Sequence, residues 1–142
     1  MSEEINTIMA RLREANVLQG KGDHRIEFHT SSNFAIPLVQ DYVSRLSRTS
    51  TVKYDELDGS GLNFVIPIKR RVPKGLEKLL TNLEVSYEVD LEVKGDYWIY
   101  LNPNKKTYDW SQLKTEKQAE KIDGILSGFG YKQGSTSPTD FS

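Results

Sequence analysis

The chain has 142 residues, of which 37% are apolar and 27% charged, with five Phe, seven Tyr and two Trp; this suits one hydrophobic core and excludes the profile of a disordered segment. Nineteen basic residues against 20 acidic ones leave a formal net charge of −1, which excludes a global field drawing the protein to nucleic acid or an anionic bilayer. The absence of cysteine excludes disulfides, thiolate zinc centres, iron–sulfur clusters and thiol nucleophiles, and fits a reducing compartment.

The opening Met1 to Ile5 is acidic and lacks the basic and apolar regions of a secretion signal, and no apolar run approaches the ~20 residues of a membrane span. The expectation is a cytoplasmic protein without membrane association. Ile5, Ile8, Met9 and Leu12 then form one helical stripe over residues 3–18, with Ser2 as N-cap and Gly20 and Gly22 as the stop. His24 to His29 alternates as a strand with Ile26 and Phe28 inward. A loop over 30–33 leads to a helix over about 36–48, with Pro37 in its first turn and a broad apolar face of Leu38, Val39, Tyr42, Val43 and Leu46.

Strands over 51–55 and 62–68 follow, joined by a loop whose glycines supply positive φ, and Pro67 weakens the pairing at the end of the second. Pro73 opens a helix over 73–82 carrying Leu76, Leu79, Leu80 and Leu83. The clearest pattern is the hairpin 84–101. In its first strand Val85, Tyr87, Val89, Leu91 and Val93 alternate with Glu84, Ser86, Glu88, Asp90 and Glu92. Residues 102–106 form a turn, 108–114 a separate turn packing by itself, and 116–127 a last helix stopped by Gly128 and Gly130. One domain over 1–131 is expected, with 132–142 as a flexible tail.

Residues 23–93 thus run strand, helix, strand, strand, helix, strand. This is the ferredoxin-like βαββαβ order of an α+β protein, here with an added C-terminal strand, a mostly antiparallel sheet and extra N- and C-terminal helices. The terminal helices are compatible with either covering or leaving bare the sheet face opposite the core helices.

Two groups of residues are candidate sites. Glu88, Asp90, Glu92, Tyr97, Trp98 and Tyr100 on the hairpin form a candidate protein-binding face, whose character depends on the turn. A two-residue turn at Lys94 and Gly95 sets Trp98 opposite Leu91, whereas a three-residue turn sets it opposite Glu92 and makes an acidic, aromatic surface. Alternate carboxylates on one strand are ~6.5 Å apart, so they share a cation only with help from another strand, and no metal or cofactor is expected. The solvated alternative has Lys53 or Arg25 offsetting these acids. Lys69, Arg70, Arg71, Lys74 and Gly75, leading into a helix N-terminus, form a candidate anion-binding turn. Lys114, Lys117 and Lys121 line one side of the last helix, and Glu116, Glu120 and Asp123 line the other.

Gly61, Phe64 and Val65 stand as in the RNA-recognition-motif signature, which this run resembles. Leu62 and Pro67 occupy aromatic positions of that motif, so the chain is not read as a member. His24 and His29, the two imidazoles, fall on opposite sides of a strand; His29 with Glu27 lacks the companion groups of a catalytic constellation, and an enzyme is not expected. The leading expectation is a non-catalytic protein-interaction module, such as a regulator, inhibitor or assembly component, binding another protein or its own copy through a sheet face or the terminal helices. The alternative is binding of a nucleotide or nucleic acid at Lys69–Gly75.

Overall fold

The structure is a computed structural model and describes residues 2–18, 24–46, 51–54, 61–68, 70–94, 97–110 and 116–134. Helix α1 (Ser2–Glu14) buries Ile5, Ile8, Met9 and Leu12 as the stripe predicts. It ends ahead of the expected glycines, which lie outside the described residues. Asn16 adopts φ 64, and the N–H groups of Asn16 and Val17 donate to the carbonyls of Arg13 and Leu12, each at 2.9 Å. These are the two bonds of a Schellman motif, and asparagine tolerates its left-handed position.

Strand β1 (Arg25–Thr30) buries Ile26 and Phe28. Before helix α2 (Ala35–Arg45), the Ser32 hydroxyl accepts from the N–H groups of Phe34 at 3.2 Å and Ala35 at 3.1 Å, satisfying donors the helix leaves free. Pro37 sits in the first turn. Leu38, expected on the buried face, is 42% exposed instead; the buried stripe is Ala35, Val39 and Val43.

Strands β2 (Thr51–Tyr54) and β3 (Leu62–Pro67) precede helix α3 (Leu76–Asn82). Pro73 is not the first helical residue. Gly75 has φ 87, a left-handed turn through which a right-handed helix cannot extend backward. Glu84, expected to open the next strand, ends α3 at φ 57, and strand β4 begins later (Tyr87–Val93).

Strand β5 (Tyr97–Asn102) is followed by strand β6 (Thr107–Trp110), helix α4 (Glu116–Ser127) and strand β7 (Lys132–Gln133). Of the segment 108–114, expected as a separate turn, the described residues 108–110 belong with Thr107 to a strand; 111–114 lie outside the described residues. A turn over 103–106 folds the strand back so that Trp110 lies opposite Ile99 and Tyr108 opposite Leu101. Tyr108 and Trp110 are buried, their rings edge to face at 5.5 Å.

The seven strands form one sheet in the order β2-β3-β1-β4-β5-β6-β7, antiparallel at every ladder except the parallel β6–β7 pair. The mixed α+β class and the mostly antiparallel sheet are as expected. Alternate residues of β1, β3, β4, β5 and β6 join side chains of all four helices in one continuous apolar core. Each fully buried aliphatic side chain there contributes ~1.5–3 kcal/mol of transfer free energy. The opposite residues of the same strands are exposed or half-buried, apart from Asp90. The terminal helices thus lie on the core side, and no described element covers the other face. Among the described residues, no helix is long and apolar enough to cross a membrane.

Candidate functional site

The face that no described element covers is built by the period of two. Three residues, 94–96, separate β4 from β5, and Glu92 lies opposite Trp98 with Val93 opposite Tyr97. This is the register that makes an acidic and aromatic surface. Trp98 and Tyr100 are half-buried on this face beside Glu88, Asp90 and Glu92. Tyr97, grouped with them from the sequence, points the other way. It is fully buried, and its hydroxyl donates to Gln118 Oε1 at 2.8 Å, because neighbouring residues of a strand face opposite sides.

Strand pairing sets Pro67, Arg25, Asp90, Tyr100 and Asp109 in one row across five strands. The next row contains Val65, Glu27 and Glu88. Glu27 and Glu88 are directly opposed across antiparallel strands, an arrangement in which like charges repel. Glu27, Glu88 and Asp90 each offer an oxygen within 4.8 Å of the others.

Asp90 is 0% exposed. Arg25 Nε donates to its Oδ2 at 3.2 Å and lies 3.5 Å from Glu27 Oε2, while Asp90 Oδ1 has no hydrogen-bond partner. Burial first, and then the Glu27 and Glu88 carboxyls, push the Asp90 carboxyl up to about 10, against the opposing pull of the guanidinium. Arg25 also stacks over the Trp98 ring at 4.7 Å. Glu27 and Glu88 line an open depression of about 270 Å³ with Phe28, His29, Asn63 and Phe64. His29 is packed so closely on the chain at Gly61 that a Cβ there would lie 2.7 Å from its Nε2.

Comparison of the chain with protein-family models, curated proteins and solved structures finds no match.

The remaining candidates fall elsewhere. His24 is buried, its Nδ1 accepting the Glu92 N–H at 2.9 Å, so that ring fastens β4. The basic turn does not form one cradle. Lys69 lies outside the described residues. Arg70 and Arg71 are exposed and face α1, lining an open depression of about 480 Å³ with Arg11, Arg13, Glu14 and Asn6, where Arg13 donates to the Arg70 carbonyl at 3.3 Å. Lys74 and Gly75 are held against α2, the Tyr42 hydroxyl donating to the Lys74 carbonyl at 2.7 Å. Moreover, the first N–H of α3, that of Leu76, is taken by the Pro73 carbonyl at 3.2 Å.

Arg11 and Arg13 were missed because their pairing with Arg70 and Arg71 depends on helix packing; the Arg-x-Arg spacing in the last turn of α1 was the only signal. Arg25 and Glu27 were visible as strand residues, but their convergence with Asp90 depends on which strands are neighbours.

Proposed function

We propose that this protein is a non-catalytic interaction module whose working surface is the sheet face opposite the helices and whose partner is a protein presenting a basic segment. The observation that carries this reading is Arg25. The face already holds one guanidinium, by stacking on Trp98 at 4.7 Å and by pairing with Asp90 at 3.2 Å. Glu88 and Tyr100 extend the same two chemistries toward an incoming Arg or Lys, Glu92 and Asp109 add negative charge to the face, and Val65 supplies half-buried apolar surface beside them. A second copy of this face is a poor partner, because two acidic surfaces repel. A regulator, an inhibitor or a small component of an assembly would use such a surface, and a cytoplasmic setting fits a chain without cysteine.

Affinity capture tests the reading. The expected partner carries a basic surface, is lost with Trp98→Ala and with Glu92→Arg, and binds less tightly as salt rises. Equal capture by wild type and Glu92→Arg overturns it.

We infer in addition that β1, α2, β2, β3, α3 and β4 make a ferredoxin-like core. The order β2-β3-β1-β4, antiparallel neighbours throughout and a helix in each of the two crossovers support it. Strands β5, β6 and β7 extend that core from the β4 edge.

A second reading, binding of a nucleotide or nucleic acid phosphate, is favoured by the four arginines 11, 13, 70 and 71 around the depression on α1. It requires affinity that falls with salt and is lost when Arg70 and Arg71 are both replaced by Glu. Insensitivity to both excludes it.

A further inference from the structure

We propose that Glu27, Glu88 and Asp90 form a binding site for one hard divalent cation, with Ca²⁺ the best fitted. This goes beyond the partner reading and does not rest on it. Three independent features converge on the site.

The first is geometry. The three carboxylates offer one oxygen each within 4.8 Å of one another. Ca²⁺ accepts six to eight oxygens at ~2.3–2.6 Å in flexible geometry, whereas Mg²⁺ demands a near-ideal octahedron at ~2.1 Å. A carboxylate trio held on two strands suits the less demanding ion. The sheet overcomes the obstacle noted for one strand alone, because Glu27 comes from β1 and Glu88 and Asp90 from β4, its neighbour.

The second is an orphaned atom. Asp90 is 0% exposed, Arg25 occupies its Oδ2, and Oδ1 has no hydrogen-bond partner. A buried carboxylate oxygen left in this condition is strongly unfavourable unless a proton or a cation meets it. It lies in the same trio whose two other members are opposed across the ladder with like charge.

The third is charge and access. Once all three carboxyls are ionised, they leave two negative charges against the single guanidinium of Arg25, the complement of a divalent ion. Arg25 fixes Asp90 from one side. Glu27 is half-exposed and Glu88 exposed, and the depression they line with His29 and Asn63 gives waters room to complete a shell of six to eight oxygens.

Isothermal titration of the metal-free full chain with CaCl₂ and MgCl₂ tests the site, together with Tb³⁺ luminescence sensitised by Trp98 and Tyr100. One saturable Ca²⁺ site is expected, at least tenfold tighter than Mg²⁺, with Tb³⁺ emission displaced by Ca²⁺. Glu88→Gln, at an exposed position that leaves the fold intact by circular dichroism, should weaken Ca²⁺ at least tenfold, and Asp90→Asn should abolish binding. No saturable Ca²⁺ binding up to ~10 mM, above the weakest range of natural Ca²⁺ modules, overturns the proposal. Unchanged affinity in Glu88→Gln does so too. Trp98→Ala separates the two readings: partner capture is lost while the calorimetric Ca²⁺ site remains.

Discussion

Asp90→Asn, studied in EDTA, should make the protein more stable at pH 8 and leave it nearly unchanged at pH 4. In the folded chain the Asp90 carboxyl keeps its proton to about 10, against 3.8 when free. The folded state therefore binds the extra proton between those values, and the stability this group contributes is fully present below 3.8 and lost as pH climbs toward 10. At pH 7 the loss has a ceiling of ~4 kcal/mol. Arg25, 3.2 Å from Oδ2, favours the ionised form and holds the loss below that ceiling. Asparagine does not titrate, still accepts from Arg25 through its carbonyl, and turns an amide donor toward the Glu27 and Glu88 carboxylates. Urea unfolding from pH 4 to pH 8 measures the difference as a shift in midpoint. A variant that is less stable than wild type at pH 8, or a difference that stays constant with pH, would refute the placement of this carboxyl in a dry, acidic setting.

Tyr97 and Trp98 should differ in the same assay: Tyr97→Ala costs about 3–5 kcal/mol as a core deletion, whereas Trp98→Ala, at a half-buried position, costs less. The reverse order of midpoints would mean the other hairpin register. Gly61→Ala should lower the melting temperature by the equivalent of about 1–3 kcal/mol, since its φ is +83 and a Cβ would meet His29 at 2.7 Å and the Thr30 carbonyl at 2.8 Å; an unchanged melting curve would show that the His29 packing is loose. Replacing Phe34 and Leu38, 73% and 42% exposed, each by Ser should change stability by no more than about 0.5 kcal/mol, and a larger loss on chemical denaturation would place them against a packed element.

The hairpin pattern was legible because a strand with one buried face must alternate, and β4 does so from Tyr87 to Val93. The same logic applied to β6, where Tyr108 and Trp110 alternate with Thr107 and Asp109, but a run of four residues is too short to outweigh the turn signals on either side. Helix ends were read from glycines, whereas Asn16 and Glu84 perform that role in two Schellman motifs; tertiary packing enforces left-handed positions that composition alone does not reveal. Sharing of a face by Glu88, Asp90 and Glu92 followed from period two. The burial of Asp90 did not, since it needs Arg25 and Tyr100 as lateral neighbours, and lateral order emerges only when the sheet assembles.

That lateral order has a kinetic side. Strands β4, β5 and β6 are joined by short turns and can pair locally, whereas β1 must insert between β3 and β4, setting Arg25 against Asp90 across 65 positions of chain. Closing that loop is an entropically demanding contact of this topology. Glu27 arrives at Glu88 and Asp90 only with β1. The carboxylate trio therefore exists only once β1 and β4 are paired, and an ion held there would act as a latch between them.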